Sequence, residues 1–152
     1  MSNSRIHTIL VAEDNENDIE LALETFKTHK LANRVVVVRD GAEALDYLYM
    51  RGKYQDREAY QPLVVFLDLK MPKVDGLQVL KEVKSDPTLR TIPVVMLTSS
   101  RQERDLVESY KLGVNAYVVK PVDFMQFTEA IRQLGMFWAI LNEPPPQSIY
   151  SS

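Results

Sequence analysis

Cysteine is absent from this sequence of 152 residues, which excludes disulfide bonds, thiolate nucleophiles and cysteine metal sites. The two histidines, His7 and His29, fall in unrelated segments, and this argues against a zinc or copper centre. No apolar run approaches the roughly 18 residues that a membrane-spanning helix requires. The amino terminus also lacks the apolar segment of a secretory signal peptide. We therefore expect a cytoplasmic protein without a membrane partner.

An excess of positive charge is missing as well. The formal net charge is −3, and the lysines and arginines form no basic run. Binding to a phosphate backbone needs clustered Lys and Arg, so we expect no nucleic-acid partner. A hydrophobic fraction of 45% with 26% charged residues is typical of a globular protein, and the length fits one domain.

Short apolar runs rich in β-branched residues alternate with stretches of helical periodicity. The runs are 8–12, 34–39, 62–67, 92–97 and 116–119. Runs of this length that lack polar alternation are typical of buried parallel strands. Repeated strand–helix alternation with short connections predicts an α/β fold, in which a doubly wound parallel sheet carries helices on both faces.

Local patterns add detail to the predicted helices. The first helix carries Ile19, Leu23, Phe26 and Lys30 at helical spacing, which is typical of a helix with one face on the core. Ser100 with Glu103 predicts a reciprocal cap at the start of the fourth helix. Asp123 with Gln126 predicts the same arrangement at the fifth helix. The polar stretch 51–61 is the longest predicted loop.

Polar residues stand at the carboxyl ends of four predicted strands. Glu13 and Asp14 follow the first strand, Asp68 follows the third, Thr98 ends the fourth and Lys120 follows the fifth. In an open α/β sheet, the carboxyl ends of the strands border the crevice where ligands bind. The sequence therefore predicts that these five side chains converge on one site.

This combination of residues indicates a metal and a phosphoryl ligand. Three carboxylates and one lysine leave a formal charge of −2, which a divalent cation would neutralise. Ligands that are all oxygen favour Mg²⁺, with Ca²⁺ or Mn²⁺ as alternatives. A carboxylate can act as the nucleophile and form an acyl phosphate. Lys120 and the cation would then stabilise the phosphoryl oxygens during transfer.

Four segments in register resemble the receiver domains of two-component response regulators. They are LVAED at 10–14, DLKMPKVDG at 68–76, MLTSS at 96–100 and YVVKP at 117–121. The resemblance extends from about Thr8 to Leu134. It implies a flavodoxin-like (CheY-like) five-stranded sheet with the strand order 2-1-3-4-5.

The resemblance also assigns roles at the acidic end of the site. Asp68 would be the phosphoacceptor and a metal ligand. Asp14 would bind Mg²⁺ directly, and Glu13 would bind it mostly through water. The backbone carbonyl of Lys70 would complete the protein ligands. In the family, the side chains at Lys70 and Ser100 vary and tune the lifetime of the acyl phosphate, so that lifetime stays open.

Further roles follow from the same resemblance. Thr98 and Lys120 would bind the phosphoryl oxygens. Thr98 and Tyr117 would form the conformational switch, in which the tyrosine changes rotamer. The peptide bond between Lys120 and Pro121 would be cis. Without the resemblance, Tyr117 would be interpreted as an ordinary strand tyrosine.

A narrower resemblance concerns the signalling partner. The extended stretch before Asp68, the segment 110–117 and the pair Phe137 and Trp138 are similar to cyanobacterial phytochrome-associated response regulators. This resemblance implies a phytochrome-type sensor histidine kinase as the phosphodonor. The downstream target is expected to be another protein and is not identified by the sequence.

We expect a stand-alone receiver domain over residues 1–143 with a carboxyl-terminal tail at 144–152 and no output domain. Such a protein would not be an enzyme, although it would assist its own phosphorylation and dephosphorylation. The apolar segment 136–141 predicts a homodimer with Phe137 and Trp138 in the interface. The alternative is that this segment folds back over the core.

Three other functions are less consistent with these residues. An aspartate-nucleophile, magnesium-dependent hydrolase of the haloacid-dehalogenase type needs a second acid two residues after the nucleophile, where Lys70 stands. A binding module that is not phosphorylated would not need every acid together with Thr98 and Lys120. A flavin carrier needs a phosphate-binding loop after the first strand, and the sequence has none there.

Overall fold

The computed structural model describes residues 8–28 and 34–135. Five parallel strands form one sheet in the order β2-β1-β3-β4-β5, which confirms the predicted flavodoxin-like order. The strands are β1 (Thr8–Ala12), β2 (Arg34–Val38), β3 (Val64–Asp68), β4 (Val94–Thr98) and β5 (Ala116–Val119). The helices are α1 (Glu16–Thr28), α2 (Gly41–Tyr49), α3 (Gly76–Ser85), α4 (Arg101–Ser109) and α5 (Phe124–Leu134), and a short 3₁₀ helix spans Gly52–Tyr54.

The sheet separates two apolar clusters. Helices α2, α3 and α4 pack on one face, and α1 and α5 pack on the other. On the second face, the rings of Phe26, Phe66 and Phe127 lie with their centroids 5.1 to 6.1 Å apart. Every residue of β1, β3 and β4 is buried, as expected for strands covered on both sides.

One expectation about α1 is wrong. Ile19, Ala22 and Phe26 are buried against the sheet, whereas Leu23 is 37% exposed. At 3.6 residues per turn, Ile19, Ala22 and Phe26 share one stripe, and Leu23 lies at its edge, on the side opposite Ala22. A leucine is thus left partly in solvent while an alanine contacts the core.

The helix caps differ in part from the prediction. The complete capping box belongs to α3, where Asp75 accepts from the backbone of Gln78 and the Gln78 side chain accepts from the backbone of Asp75. At α4, Ser100 accepts from the Glu103 backbone as predicted. The Glu103 carboxylate, however, accepts from the N–H of Ser99 at 2.8 Å, so the reciprocal half of the predicted box is wrong.

The cap of α5 is likewise half correct. Asp123 accepts from the backbone N–H of Gln126. The Gln126 side chain instead forms 2.7 Å hydrogen bonds with both the N–H and the carbonyl of Val119. Because β5 is an edge strand, these backbone groups have no neighbouring strand on that side, and the amide satisfies both of them.

Arg57 organises the connection between α2 and β3. Its guanidinium lies 4.3 Å from the centre of the Tyr47 ring. It donates to the backbone carbonyls of Tyr47, Leu48, Glu58 and Tyr60 and to Oε1 of Gln61. Nearby, the Tyr54 hydroxyl donates to Glu43 at 2.6 Å. The predicted loop is therefore held to α2 by one arginine that bonds along its backbone.

Two further expectations meet the limits of the described residues. Phe137 and Trp138, the predicted dimer contacts, lie outside them, as does the expected tail at 144–152. Among residues 8–28 and 34–135, no helix is both long and apolar enough to span a bilayer.

Candidate functional site

The structure brings the five predicted strand-end residues together. Ligand oxygens of Glu13, Asp14 and Asp68 all lie within 4.8 Å of one another. Glu13 is 1% exposed and Asp68 is 4% exposed, whereas Asp14 is open to solvent. Lys120 and Thr98 complete the crevice at the ends of the neighbouring strands. These five residues lie at the carboxyl ends of four strands, with Glu13 and Asp14 both following β1, so the sheet itself builds the site.

Backbone hydrogen bonds continue the sheet one residue beyond the strand ends. The N–H of Glu13 donates to the carbonyl of Val38 at 3.0 Å. The N–H of Lys120 donates to the carbonyl of Thr98 at 2.7 Å. These bonds fix the direction in which the functional side chains leave the strands. The buried carboxylates consequently point into one crevice instead of spreading over the surface.

Lys120 contacts three carboxylates. Its Nζ lies 3.0 Å from Asp18, 3.2 Å from Glu13 and 3.3 Å from Asp68. An ammonium group has three N–H donors, so each donor has one carboxylate partner. Asp18 was not among the predicted site residues. The available signal was its place in the first turn of the helix that directly follows Asp14.

The crevice perturbs its own titrating groups. Burial, with an added contribution from the negative charge of Glu13, raises the pKa of Asp68 to about 7, and Lys120 opposes this shift. Burial alone would lower the pKa of Lys120, but the hydrogen bond to Asp18 and the charges of Asp68 and Glu13 outweigh it and raise that pKa. Lys120 therefore stays charged, whereas the pKa of Asp68 lies close to neutral pH.

The carboxylates fit a hard divalent cation. Their close oxygens provide oxygen ligands only, which suit Mg²⁺, Mn²⁺ or Ca²⁺. The N–H of Asn15 donates to Glu13 at 3.0 Å and fixes the orientation of that carboxylate. The Lys70 side chain is exposed and pairs with Glu103 at 3.2 Å. A role of the Lys70 carbonyl as a metal ligand stays a prediction.

Thr98 has the environment expected of a ligand-binding hydroxyl. It is fully buried, and among the described residues its Oγ1 has no hydrogen-bond partner. A buried hydroxyl without a partner costs free energy, which an incoming oxygen ligand would recover. Tyr117 is partly buried in the adjacent strand, and the Arg104 guanidinium lies 4.9 Å from its ring centre. The Lys120–Pro121 peptide bond is cis.

Gly76 was not predicted as part of the site, although it belongs to its wall. Its N–H donates to the carbonyl of Leu69 at 2.7 Å. A Cβ atom at this position would lie 2.0 Å from the carbonyl oxygen of Asp68. Glycine is therefore required here by the close approach of the α3 start to the end of β3.

Comparison with known proteins agrees with this geometry. Residues 9–132 match the family described as the response regulator receiver domain. Response regulator Rcp1 of Synechocystis sp. is 37% identical over 130 residues, which span 86% of this chain and 87% of Rcp1. A crystal structure of the Mn²⁺-bound form of Rcp1, 36% identical, matches with a TM-score of 0.71 over 88% of this chain and 94% of that one.

Two other solved structures have higher sequence identity. The bacteriophytochrome response regulator RtBRR is 59% identical with a TM-score of 0.86, covering 95% of this chain and 87% of that one. The bacteriophytochrome response regulator AtBRR is 61% identical with a TM-score of 0.86, covering 91% of this chain and 99% of that one. Both similarities extend over nearly all of the described residues.

Proposed function

The chain belongs to the response regulator receiver domain family, and we propose that it accepts a phosphoryl group from a sensor histidine kinase onto Asp68. One observation carries the assignment of this residue. Asp68 is a buried carboxylate that contacts the Lys120 ammonium at 3.3 Å, at the same edge of the sheet where β4 ends in Thr98. The Thr98 hydroxyl has no hydrogen-bond partner among the described residues. A nucleophile, a cation and a hydroxyl donor at one point are the groups that phosphoryl transfer requires.

The proposed step is a displacement at phosphorus. An ionised oxygen of Asp68 forms a bond to the phosphorus of a phosphohistidine. The phosphohistidine is protonated on its other ring nitrogen, so when the P–N bond breaks and its electron pair stays on nitrogen, the kinase histidine leaves as a neutral imidazole. Lys120 keeps its proton and contacts the phosphoryl oxygens with its charge, and Thr98 donates its hydroxyl to them. The product is an acyl phosphate on Asp68.

Glu13, Asp14 and Asp68 would hold Mg²⁺, with Mn²⁺ as an alternative. When bound, the cation neutralises charge on the phosphoryl oxygens. The Mn²⁺-bound form of the similar protein Rcp1 supports a divalent cation in this chain. The oxygen-only ligand group is the further support from the residues themselves.

The proposed phosphodonor is a phytochrome-type histidine kinase. The support is that RtBRR and AtBRR, 59% and 61% identical to this chain, are bacteriophytochrome response regulators. The receiver would signal in the cytoplasm through a downstream protein and would not act as an enzyme on other substrates. Phosphotransfer from purified phytochrome kinases, compared with unrelated histidine kinases, tests this partner. Equal transfer from both groups would contradict it.

Signal output is proposed to run through Thr98 and Tyr117. Thr98 would move toward the phosphoryl oxygens, and the Tyr117 ring would occupy the vacated space, which is a population shift between two packings. A homodimer through Phe137 and Trp138 is a separate proposal based on the sequence alone. Sedimentation of the wild type against a Phe137→Ser, Trp138→Ser double variant tests it, and a monomeric wild type would contradict it.

Intact mass after incubation with acetyl phosphate and Mg²⁺ tests the central proposal. The wild type should gain one phosphoryl group, and Asp68→Asn should gain none. Asp105→Asn, which removes an exposed carboxylate on α4, is the matched control and should be labelled like the wild type. Labelling of Asp68→Asn, or labelling of the wild type in excess chelator, would contradict the assignment.

The hydrolase alternative is not favoured. The position two residues after Asp68 holds the exposed side chain of Lys70, paired with Glu103, where such an enzyme needs an acid. The receiver family match over 9–132 points the same way.

A further inference from the structure

Asp18 is a fourth carboxylate at the crevice, and none of the strand-end motifs contains it. Its Oδ2 lies 3.0 Å from Nζ of Lys120, a shorter distance than those from Glu13 and Asp68. The backbone places it there. The N–H of Asp18 donates to the side chain of Asn15 at 3.0 Å, which caps the first turn of α1. Asp18 is therefore held by the start of the helix that follows β1.

Asp18 differs from the other two partners of Lys120. Among the described residues, the group of oxygens able to share a metal ion comprises Glu13, Asp14 and Asp68. Two of these carboxylates, Glu13 and Asp68, contact Lys120 and would also turn toward a bound cation. Asp18 lies outside that group, so its carboxylate remains available to the lysine alone.

The exposures of the side chains agree with this division. The side chain of Asp18 is 23% exposed, against 1% for Glu13 and 5% for Asp68, so Asp18 is the most solvent-exposed of the three carboxylates that contact Lys120. A lysine has a flexible stem with four carbons, and holding its ammonium in one place costs conformational entropy. A fixed carboxylate partner reduces the number of positions that the ammonium can adopt.

We propose that Asp18 is a positioning residue that holds the Lys120 ammonium beside Asp68 before and during phosphoryl transfer. This role rests on the proposed function. As an Asp68 oxygen forms its bond to phosphorus, the P–O bond of acetyl phosphate breaks and its electron pair leaves on acetate. The contact from Lys120 to Asp68 is then exchanged for one to a phosphoryl oxygen. The contact to Asp18 persists and keeps the charge in place.

The first test observes Lys120 without any phosphoryl group. The Nζ ammonium resonance of Lys120, assigned with a Lys120→Arg variant, should be visible by ¹⁵N-detected NMR in the wild type because its protons are held in hydrogen bonds. It should broaden or vanish in Asp18→Ala and persist in Asp18→Asn, whose amide oxygen still accepts. Glu20→Ala removes an exposed carboxylate from the same helix and should change nothing. An unchanged signal in Asp18→Ala would overturn the proposal.

The second test measures phosphorylation by acetyl phosphate at saturating Mg²⁺. Asp18→Ala should lower the rate at saturating acetyl phosphate by about three- to ten-fold, since a misplaced charge acts mainly on the transition state. The half-saturating concentration of the donor should change little. Asp18→Asn should recover most of the rate, which a purely charge-based effect would not produce.

The outcomes separate the two proposals. A labelled wild type with an equally fast Asp18→Ala variant would overturn the role of Asp18 alone. Equal losses in Asp18→Ala and Asp18→Asn would also overturn it, because charge and not position would then be responsible. A wild type that takes no phosphoryl group, or an Asp68→Asn variant that does, would overturn the proposed function itself. Should Asp18→Ala fail to fold, Asp18→Ser serves in both tests as the variant too short to reach Nζ.

Discussion

The crevice and the connection between α2 and β3 both contain charged and polar side chains. The protein provides partners for these groups in the connection but not for all of them in the crevice. In the crevice, three carboxylates contact the Lys120 ammonium, and a fourth, Asp14, lies close to two of them. Thr98 lacks a hydrogen-bond partner among the described residues. In the connection, one arginine donates to five oxygens and covers the ring of Tyr47. Unbalanced charge and an unmet hydroxyl indicate a ligand site, whereas balanced groups indicate a structural role.

Two carboxylates make the difference clear. Burial raises the pKa of Asp68 to about 7, and the net charge around it does not reverse that effect. Burial would also raise the pKa of Glu43, but hydrogen bonds from Tyr54, Arg39 and Lys53 outweigh burial and lower it. Glu43 is thus fully provided with donors by the protein. Asp68 is left to obtain part of its stabilisation from a cation or a phosphoryl group.

The largest expected effect is on metal binding in the crevice. Asp14→Ala should weaken Mg²⁺ binding by about 10- to 100-fold, and Glu13→Ala should weaken it less because Glu13 is proposed to bind the cation through water. Calorimetric titration with Mg²⁺ measures both losses. Glu43→Gln is the control, because it changes a carboxylate that already accepts hydrogen bonds from Tyr54, Arg39 and Lys53. It should leave the affinity for Mg²⁺ unchanged. Equal losses in the Asp14 and Glu13 variants would contradict the ranking.

The next effect concerns stability in the connection. Arg57→Ala should lower the free energy of unfolding by about 2–3 kcal/mol, because carbonyl partners and a cation–π contact are lost together. Phosphorylation by acetyl phosphate should proceed as in the folded wild type. Arg34→Ala, which removes an exposed ion pair to Glu58 in the same connection, is the control and should cost less than about 1 kcal/mol. Urea denaturation distinguishes these outcomes, and similar losses in both variants would contradict the structural role of Arg57.

A smaller effect should depend on pH. The pKa of Asp68 is raised in the folded state from 3.8 to about 7, so the wild type loses stability as pH rises through this interval. Asp68→Asn should therefore be more stable than the wild type by about 1–3 kcal/mol at pH 8, and the gain should disappear below about pH 4. Urea denaturation without metal measures it, and addition of Mg²⁺ should reduce the difference. A gain independent of pH would contradict the cause given.

The smallest expected effect involves the Tyr117 ring. Arg104→Ala removes a cation–π contact worth about 0.5–1 kcal/mol and should shift Tyr117 toward the packing proposed for the phosphorylated state. Arg101→Ala, at the exposed start of α4, is the control. The fluorine NMR shift of a fluorotyrosine at position 117 should move toward its phosphorylated value in Arg104→Ala only. A shift in both variants, or in neither, would contradict the contact's role.

The sequence alone predicted the sheet and the strand-end residues well, for a physical reason. Parallel strands are buried on both faces, so polar residues such as Asp68 and Lys120 can stand only at their ends, and those ends meet. The convergence of the three acids with Thr98 and Lys120 could therefore be anticipated, whereas the order of the strands followed from the resemblance to receiver domains. The roles given to these residues remain proposals.

What the sequence did not disclose depends on contacts between distant segments. The position of Asp18 in the first turn of α1 places it near Asp14, but it does not indicate a contact with Lys120, which lies far away in the sequence. Gln126, predicted as part of a helix cap, instead forms hydrogen bonds with the backbone of Val119 at the edge of the sheet. Arg57 stood in a stretch that appeared to be a polar loop. In each case the side chain contacts partners that only the packed structure brings close to it.

The close approach at residue 76 has a consequence for how this gene can vary. Any substitution there adds a Cβ atom at a position 2.0 Å from the carbonyl oxygen of Asp68, so relief of the clash must move the backbone of Asp68 itself. Random mutation should thus be tolerated poorly at a residue that has no side chain of its own. In a library of all substitutions selected for signalling, we expect only glycine at position 76. Nearby exposed positions should tolerate many different residues.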